Sequence, residues 1–237
     1  MKPVVVVDPP RADAAAVVEL GRLGVATVFE AGGRTGLLGT RLRPAWVGAA
    51  AAGTAITVLC PPGDNLMVHV AIEQVGPGDL LVITTTSPCG DGYVGELIAT
   101  ALVTRGAAGV VTTTGIRDVA AIAKAGFPVW SRSISAQGTV RATAGSVNVP
   151  IVIGNTVVSP GDVVIADDDG VVVVPRLRAT EVVDASRERE AKESLSRTAF
   201  AAGELSLDRY DLRPLLDRLG VRYVRAEDPN GQSGGGS

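Results

Sequence analysis

Two short segments of this 237-residue chain carry side chains that could do chemistry. The first, Asp91-Gly-Tyr-Val-Gly-Glu96-Leu-Ile98, reads as a glycine-rich loop that runs into a helix with Glu96 in its first turn. Free backbone N–H groups at a helix start bind anions, and a nearby carboxylate can hold a cation. The second, Thr114-Gly-Ile-Arg117-Asp118, follows a buried strand. Arginine can grip a carboxylate with two hydrogen bonds, and the adjacent aspartate can ligate a metal.

These two segments are spaced so that they could meet. Glu96 and Arg117 are 21 residues apart, which is near the length of one helix–strand step. Ligands of α/β sheets bind at the carboxyl ends of the strands, so we expect Glu96 and Asp118 at one sheet edge. Carboxylate ligands suit Mg²⁺ or Mn²⁺. From the residues alone, a surface ion pair between Arg117 and Asp118 is an equal alternative.

The other candidate groups favour structural roles. His69, the one histidine of the sequence, lies four residues after Asn65 on a predicted helix, where both could share a face. We expect His69 to be a hydrogen-bonded structural residue. Cys60 and Cys89 are too few for a disulfide framework and lack metal-site spacing, so we expect reduced, buried thiols. Asp167-Asp-Asp-Gly170 lacks the spacing of a calcium loop and predicts a solvated hairpin turn.

Hydrophobic periodicity predicts the elements that position these residues. Apolar residues at helical spacing predict helices over residues 13–23, 65–73, 95–104, 118–124, 179–198 and 205–219. Valine-rich runs bounded by Pro, Gly and Asp predict strands over residues 54–59, 80–84, 109–112, 128–130, 150–153, 156–158, 162–165 and 170–174. This order indicates one mixed α/β domain over residues 1–178, a helical extension over 179–227 and a flexible tail over 228–237.

Composition narrows the class of protein. The chain is 46% hydrophobic and 20% charged, which is ordinary for a globular protein. Its 22 basic and 25 acidic side chains give a net charge of −3, which argues against nucleic-acid binding. We find neither a long uninterrupted apolar stretch nor the pattern of a signal peptide, so we expect a cytoplasmic protein that does not interact with membranes.

Longer motifs occur in order between residues 12 and 225. They are Gly63-Asp-Asn-Leu-Met-Val-His-Val-Ala-Ile-Glu73, Gly92-Tyr-Val-Gly-Glu-Leu-Ile-Ala-Thr100, Gly115-Ile-Arg-Asp118, Phe127-Pro-Val-Trp-Ser131, Gln137-Gly-Thr139, Gly145-Ser-Val-Asn-Val-Pro150 and Pro160-Gly-Asp-Val-Val-Ile-Ala-Asp-Asp-Asp-Gly-Val171. Together they resemble the 4-hydroxy-4-methyl-2-oxoglutarate / 4-carboxy-4-hydroxy-2-oxoadipate aldolases. These class II pyruvate aldolases share a fold with the regulator of ribonuclease E activity A.

The resemblance implies a fold and an assembly. The expected fold is an α/β sandwich of the swivelling phosphohistidine-domain type with a C-terminal helical extension. The expected assembly is a homotrimer, often paired into a homohexamer, with the active site between subunits. The helical extension would then contact a neighbouring subunit.

The resemblance also assigns roles to individual residues. Arg117 would bind the pyruvyl carboxylate and the enolate oxygen, Asp118 would ligate the divalent metal, and Glu96 would hold a metal-bound water. Glu193 of a neighbouring subunit would complete the site, with Glu190 as the fallback. The substrate would further contact Asn65 and the backbone amides of Gly95, Glu96, Leu97 and Ile98.

The implied reaction is a metal-dependent retro-aldol cleavage. A 2-oxo acid held by Mg²⁺ or Mn²⁺ would split into pyruvate and a second 2-oxo acid, oxaloacetate or pyruvate, and Arg117 would stabilise the enolate. Oxaloacetate decarboxylation would be a side activity, because loss of CO₂ gives the same enolate. Two alternatives stay open: a dedicated oxaloacetate decarboxylase or other 2-oxo-acid lyase, and a non-catalytic ring that binds a protein, like the ribonuclease E regulator.

Two further points bear on this interpretation. None of Lys2, Lys124 and Lys192 lies in a context that would desolvate it, which argues against Schiff-base chemistry. Many relatives carry an aspartate four residues before the arginine, where this chain has Thr113. A carboxylate lost there would change the hydrogen bonds around the site and with them substrate preference or metal affinity.

Overall fold

The computed structural model describes residues 2–39 and 41–224. The chain divides into two compact units, and the division falls after Glu190. The predicted tail over residues 228–237 lies outside the described residues, as does the end of the predicted extension.

The elements follow one another in alternation through most of the first unit. The helices are α1 (Ala14–Leu23), α2 (Val25–Ala31), α3 (Leu66–Ile72), α4 (Glu96–Thr104), α5 (Val119–Lys124), α6 (Ala179–Ala201), α7 (Ser206–Arg209) and α8 (Arg213–Arg218). The strands are β1 (Arg43–Pro44), β2 (Ala51–Cys60), β3 (Asp79–Thr85), β4 (Gly92–Val94), β5 (Gly109–Thr112), β6 (Gly115–Ile116), β7 (Val129–Ser131), β8 (Ser133–Ile134), β9 (Ser146–Val147), β10 (Ile151–Ile153), β11 (Thr156–Val158), β12 (Val163–Asp167) and β13 (Gly170–Val174).

The main sheet has the strand order β1-β7-β5-β3-β2-β12-β13, and β9 also pairs with β2. Strands β2, β3, β5 and β7 run parallel to their neighbours in that series. Strands β12 and β13 form an antiparallel hairpin, with Asp167 opposite Gly170 at its turn. The hairpin predicted at this position is therefore confirmed.

One stretch of chain holds both ends of this sheet. Leu37 pairs with Val172 of β13, and the Leu38 N–H donates to the Val171 carbonyl at 3.0 Å. A few residues later, β1 pairs with β7 at the opposite end. The sheet is consequently a nearly closed barrel.

Alternation along the strands builds separate cores inside and outside the barrel. Leu80 and Val82 of β3 face the interior, where Trp130 is fully buried. The Trp130 indole N–H donates to the Asp167 carbonyl at 2.9 Å, and this bond spans the barrel from β7 to β12. The alternate residues of β3, Leu81 and Ile83, face outward onto α3, α4 and α5. Side chains thus alternate between the two faces while β3 is buried at nearly every residue, as expected for a strand that is covered on both faces.

A second outer layer covers β12 and β13. Helices α1 and α2 pack there together with the first turns of α6, where Ala179, Val182 and Val183 are buried. Helix α1 begins after Asp13, whose carboxylate accepts the Ala16 N–H at 2.8 Å as an N-cap. The described part of the second unit contains the edge-to-face pair of Phe200 and Tyr210, with ring centroids 5.9 Å apart.

A small parallel sheet, in the order β4-β6-β8, sits where the chain leaves the main sheet. Its strands follow β3, β5 and β7 in the sequence, so each crosses from a carboxyl end of the main sheet. The sequence predicts a loop for β4 and β6, because two or three residues are too few to show a period.

Two further differences concern the predicted helices, and the two-residue strands β1, β8 and β9 were not predicted either. Gly24 ends α1 as expected, but its φ of +79° lets the chain turn and start α2 at once. The single helix predicted over residues 205–219 is two short ones, because Asp211 between them has a φ of +49°. The mixed α/β fold with a helical C-terminal part is confirmed, and the relation to swivelling phosphohistidine domains stays a prediction. No helix of the described ranges is long and apolar enough to cross a membrane.

Candidate active site

A cavity of about 510 Å³ opens beside the small sheet, wholly within the first unit. Its walls come from α3, β4, the start of α4, the end of β6 and the segment after β8. The lining residues are Asn65, His69, Gly92, Tyr93, Gly95, Glu96, Leu97, Ile98, Arg117, Asp118, Thr139 and Arg141. The structure thus brings together all the predicted site residues except the glutamates of α6.

Arg117 and Asp118 follow β6 directly, which aims both side chains into the cavity. The Arg117 N–H donates to the Val94 carbonyl at 2.9 Å, so the pair is tied to β4. Asp118 has a φ of +56°, a left-handed conformation that aspartate tolerates better than most residues. Its Oδ2 lies 3.6 Å from Nε of Arg117, and both side chains are about half exposed. The ion pair considered above therefore exists, and it lies in the cavity wall.

Helix α4 points its first turn at this pair. The Glu96 N–H donates to Oδ2 of Asp118 at 3.1 Å, so one of the amides expected to contact substrate is already occupied. The next two amides, of Leu97 and Ile98, have no hydrogen-bond partner among the described residues. Such amides at a helix start are a ready site for an oxyanion. The Glu96 side chain is exposed at the rim of the cavity.

Gly95 is required by the close approach of β6 to α4. A Cβ atom at this position would lie 2.5 Å from Oδ2 of Asp118 and 3.0 Å from Cγ of Arg117. Any side chain there would push the carboxylate and the guanidinium out of place. The absence of a side chain at Gly95 is therefore a feature of the site.

Asn65 forms part of the cavity wall and is nearly fully buried. Its Nδ2 donates to the Tyr93 carbonyl at 3.0 Å, which fixes the orientation of the amide because that carbonyl can only accept. Its Oδ1 is buried and has no partner among the described residues. A buried unpaired acceptor is costly, and at a cavity wall it favours a ligand that can donate a hydrogen bond.

His69 and Arg141 are the site residues that the sequence did not single out for function. The expectation of a hydrogen-bonded structural histidine is wrong: His69 is exposed on α3 and has no hydrogen bond within residues 2–39 and 41–224. Partial burial, and then the positive charge of Arg141, lower the pKa of His69 below 6.5. Both causes favour the neutral imidazole. Its position four residues after Asn65 was the available signal, whereas the sequence around Arg141 gave none.

Asp64 holds the wall that carries Thr139 and Arg141. This carboxylate is 2% exposed and accepts the N–H groups of Ala142 at 2.8 Å and of Thr143 at 2.6 Å. It also accepts the Leu66 N–H at 2.9 Å. Burial alone would raise the pKa of Asp64, but the backbone N–H groups outweigh burial and lower it below 3.8. A charged Asp64 thus fixes the segment that places Arg141.

The two predicted glutamates of α6 lie elsewhere within one protomer. Glu190 pairs with Arg22 at 2.8 Å, and Glu193 lies 4.0 Å from Arg197 in the second unit. A contribution from a neighbouring subunit stays a prediction for both residues. Thr113 lies outside this cavity and shares a hydrogen bond with Thr84. Cys60 is buried, which raises its pKa to about 12 and keeps it a thiol, and Cys89 is half-buried.

The side chains of the cavity determine which cation it could hold. Among the described residues, no three His, Cys, Asp or Glu side chains are grouped to hold a metal ion. Asp118 and Glu96 nevertheless supply two carboxylates to one cavity. Mg²⁺ is commonly held by one or two carboxylates together with water and substrate oxygens, so the residues fit such an ion.

Comparison with known proteins agrees with this geometry. A family model described as RraA-like, Aldolase/RraA, matches residues 12–173, which is well over half of the chain. The chain belongs to the Aldolase/RraA family. The resemblance drawn from the motifs is thereby confirmed.

Family members of different kinds resemble the chain. A protein of Halalkalibacterium halodurans, named provisionally as a 4-hydroxy-4-methyl-2-oxoglutarate aldolase, is 30% identical over 158 residues, covering 67% of this chain and 75% of that protein. The crystal structure of Streptomyces coelicolor RraAS2, described as an unusual member of the RNase ES inhibitor RraA family, has a TM-score of 0.71 at 30% identity, covering 79% of this chain and 98% of RraAS2. An uncharacterized protein of Pseudomonas syringae has a TM-score of 0.76 at 26% identity, covering 84% of this chain and 93% of its own.

Proposed function

We propose that this protein is a class II pyruvate aldolase that depends on a divalent metal ion, Mg²⁺ or Mn²⁺. Its substrate would be 4-carboxy-4-hydroxy-2-oxoadipate or 4-hydroxy-4-methyl-2-oxoglutarate, and the products pyruvate plus oxaloacetate or a second pyruvate. The observation that carries the proposal is the half-exposed guanidinium of Arg117, which lies 3.6 Å from Asp118. The same cavity contains two helix-start amides that have no partner among the residues the structure describes. The name of the Halalkalibacterium halodurans relative supports the same chemistry.

Binding of the 2-oxo acid uses the positive groups of the cavity. The carboxylate next to the keto group would take the two-pronged hydrogen bonds of Arg117. The amides of Leu97 and Ile98 are free to donate to a second oxygen of the same group. Arg141, which also lines the cavity, would bind the carboxylate at the other end of the substrate. These substrates are at least dicarboxylates, so two arginines in one cavity match their charge.

Cleavage moves one proton and breaks one bond. The proton of the 4-hydroxyl leaves to a base, the bond between C3 and C4 breaks, and its electron pair passes into the enolate of pyruvate. Arg117 would stabilise that enolate oxygen as its charge develops. Protonation of C3 then gives pyruvate. Glu96 at the rim and His69, whose pKa is lowered by partial burial and by Arg141, are two groups of this cavity that can accept and return the proton.

A divalent ion would be held by Asp118, and Glu96 would hold a water bound to that ion. When bound, it would supply a Lewis acid that draws electrons from the keto group. The same sink would permit oxaloacetate decarboxylation as a side activity. A homotrimer or homohexamer, with Glu193 of a neighbouring subunit completing the site, is part of the proposal, as is a cytoplasmic location.

A second candidate is a dedicated oxaloacetate decarboxylase or another 2-oxo-acid lyase on the same residues, because every step after enolate formation is shared. A third is a non-catalytic ring that binds a protein. The likeness to RraAS2, a member of an RNase inhibitor family, favours keeping this third candidate.

One assay separates these functions. Pyruvate release is measured from 4-hydroxy-4-methyl-2-oxoglutarate, 4-carboxy-4-hydroxy-2-oxoadipate and oxaloacetate, each with added Mg²⁺ and with EDTA. Turnover that EDTA removes supports the enzyme, and the largest kcat/KM identifies the substrate. A higher kcat/KM for oxaloacetate than for both hydroxy acids supports the decarboxylase. A folded protein that releases no pyruvate from any of them contradicts both enzymatic candidates.

A further inference from the structure

A second cavity, of about 190 Å³, lies where β3, β5 and β7 end in the main sheet. Thr84, Thr113 and Arg132 line it from these three strand ends. Carboxyl ends of neighbouring parallel strands are where α/β sheets bind ligands. The cavity shares no lining residue with the candidate active site.

Thr84 and Thr113 contribute a hydroxyl proton that has no acceptor. Each residue is 7% exposed, and the two hydroxyl oxygens are 2.9 Å apart. Two hydroxyls carry two protons, and their mutual bond uses one of them. Neither hydroxyl makes a further hydrogen bond with any described residue, so one O–H is left to donate into the cavity.

A neighbouring pair of threonines shows an arrangement in which both hydroxyl protons have an acceptor. The Thr112 and Thr114 hydroxyls are 2.6 Å apart, and that of Thr114 also donates to the Gly115 carbonyl. Both protons of this pair are therefore used, and both residues are fully buried. The difference between the pairs is what makes Thr84 and Thr113 a candidate for ligand binding.

Arg132 supplies the charge. Its N–H donates to the Thr114 carbonyl at 3.2 Å, which ties its backbone to the end of β5. Its guanidinium is exposed and makes no hydrogen bond or ion pair in the part of the chain that the structure describes. None of the residues lining the cavity is an aspartate or a glutamate. The cavity is therefore positive, and it offers one guanidinium and one hydroxyl proton as donors.

We propose that this second cavity binds a phosphate group, either inorganic phosphate or the phosphoryl end of a small metabolite. A tetrahedral oxyanion presents oxygens in several directions, so it could accept from the Arg132 guanidinium and from the Thr84–Thr113 hydroxyl pair at the same time. A carboxylate presents only two oxygens, in one plane. Arginine recognises phosphate through paired N–H donors. Thr113 matters because a carboxylate at that position would repel the ligand and pair with Arg132. The proposal is independent of the aldolase reaction.

The test is a calorimetric titration of the full-length protein with sodium phosphate, against sodium chloride at equal ionic strength. The parent protein carries Arg117→Gln and Arg141→Gln, so that the arginines of the active-site cavity cannot bind the anion. We expect saturable binding of one phosphate per chain. Phenyl phosphate is the second probe: equal binding identifies a phosphoryl end, and weaker binding identifies free phosphate.

Three substitutions in that parent locate the site. Arg132→Gln should weaken phosphate binding at least about tenfold, because a charge-assisted pair is lost. Thr113→Asp, which places a carboxylate beside Arg132 that would pair with it and repel the anion, should also weaken binding and serves if Arg132→Gln does not fold. Arg34→Gln removes the same charge from an exposed arginine paired with Glu30 and should leave binding unchanged. Absence of saturable phosphate binding, or binding by both Arg132→Gln and Thr113→Asp as tight as that of the parent protein, overturns the proposal.

Discussion

Among single residues, the Arg117 guanidinium bears most directly on the proposed chemistry, because the enolate charge would develop against it. We expect Arg117→Ala to lower kcat for pyruvate formation by about a hundredfold to a thousandfold, as for the loss of one donor to a developing oxyanion. The measurement is steady-state turnover of the preferred substrate with saturating Mg²⁺. Arg34→Ala is the control, because it removes an exposed arginine that pairs with Glu30 at 3.0 Å. Normal turnover by folded Arg117→Ala would contradict the mechanism.

Asp64 gives a prediction about stability and pH. Its folded-state pKa lies below its usual 3.8, so its carboxylate stabilises the fold at pH values above 3.8. That contribution is lost as the pH falls through the folded-state value. Asp64→Asn should therefore reduce the free energy of unfolding by about 2 kcal/mol at pH 7, since charge-assisted hydrogen bonds are lost.

The same loss should shrink at acidic pH. Urea unfolding of both proteins at pH 7 and at a pH below 3.8 measures it, because at the lower pH the unfolded chain binds a proton at Asp64 more readily than the folded protein does. Asp184→Asn is the matched control, as Asp184 is an exposed carboxylate of α6. A difference in stability that stays constant with pH would show that the charge of Asp64 is not responsible.

For single residues, the sequence predicted the site side chains that lie within about one helix–strand step of one another. It did not predict those that come together from distant parts of the chain. Arg117, Asp118 and Glu96 lie in one cavity, as the helix–strand spacing indicated. Arg141 joins them through the bonds of its neighbours Ala142 and Thr143 to Asp64, which is nearly eighty residues away in the chain. No local pattern encodes such a contact.

Among the elements, the approach of α4 to the end of β6 determines the geometry of the site. We expect Gly95→Ala to lower kcat about a hundredfold, because small misplacements of catalytic groups have effects of that size. Its Cβ would lie 2.5 Å from Oδ2 of Asp118. Gly90→Ala is the matched control, since a Cβ there meets no atom closer than 3.8 Å. Thermal unfolding should be measured alongside, and full activity of Gly95→Ala would show that the site tolerates a displaced Asp118.

The longer elements were predictable and the shortest were not. Strands β2, β3, β12 and β13 carry enough alternating or continuous apolar residues to be recognised. Strands β4 and β6 have three and two residues, and their pairing is set by tertiary contacts. Because these short strands position the candidate site, sequence patterns could not predict how its residues are arranged.

For the whole molecule, the two compact units suggest where the chain can be cut. Residues 1–190 keep Ala179, Val182 and Val183, which are buried against α1 and α2. We expect this fragment to unfold at nearly the temperature of the full chain. A fragment ending at residue 178 loses those side chains and should be less stable by about 2–5 kcal/mol.

Activity distinguishes what the second unit contributes. If Glu193 of a neighbouring subunit completes the site, the 1–190 fragment should be folded and inactive. Full-length Glu193→Gln should then show a similar loss of kcat. Activity measurements and size-exclusion chromatography on the full-length protein, the 1–190 fragment and Glu193→Gln test this. A fully active 1–190 fragment would show that residues beyond Glu190 are dispensable for turnover.

The stretch that holds both ends of the barrel also has a consequence for synthesis on the ribosome. Leu37 and Leu38 emerge early, yet their partners Val171 and Val172 are made more than 130 residues later. At translation rates of about 5–20 residues per second, this leaves roughly 7 to 27 seconds in which Leu37 and Leu38 lack these native partners. A nascent chain halted before Val171 should therefore stay sensitive to proteases in this stretch, and one released after β13 should resist them.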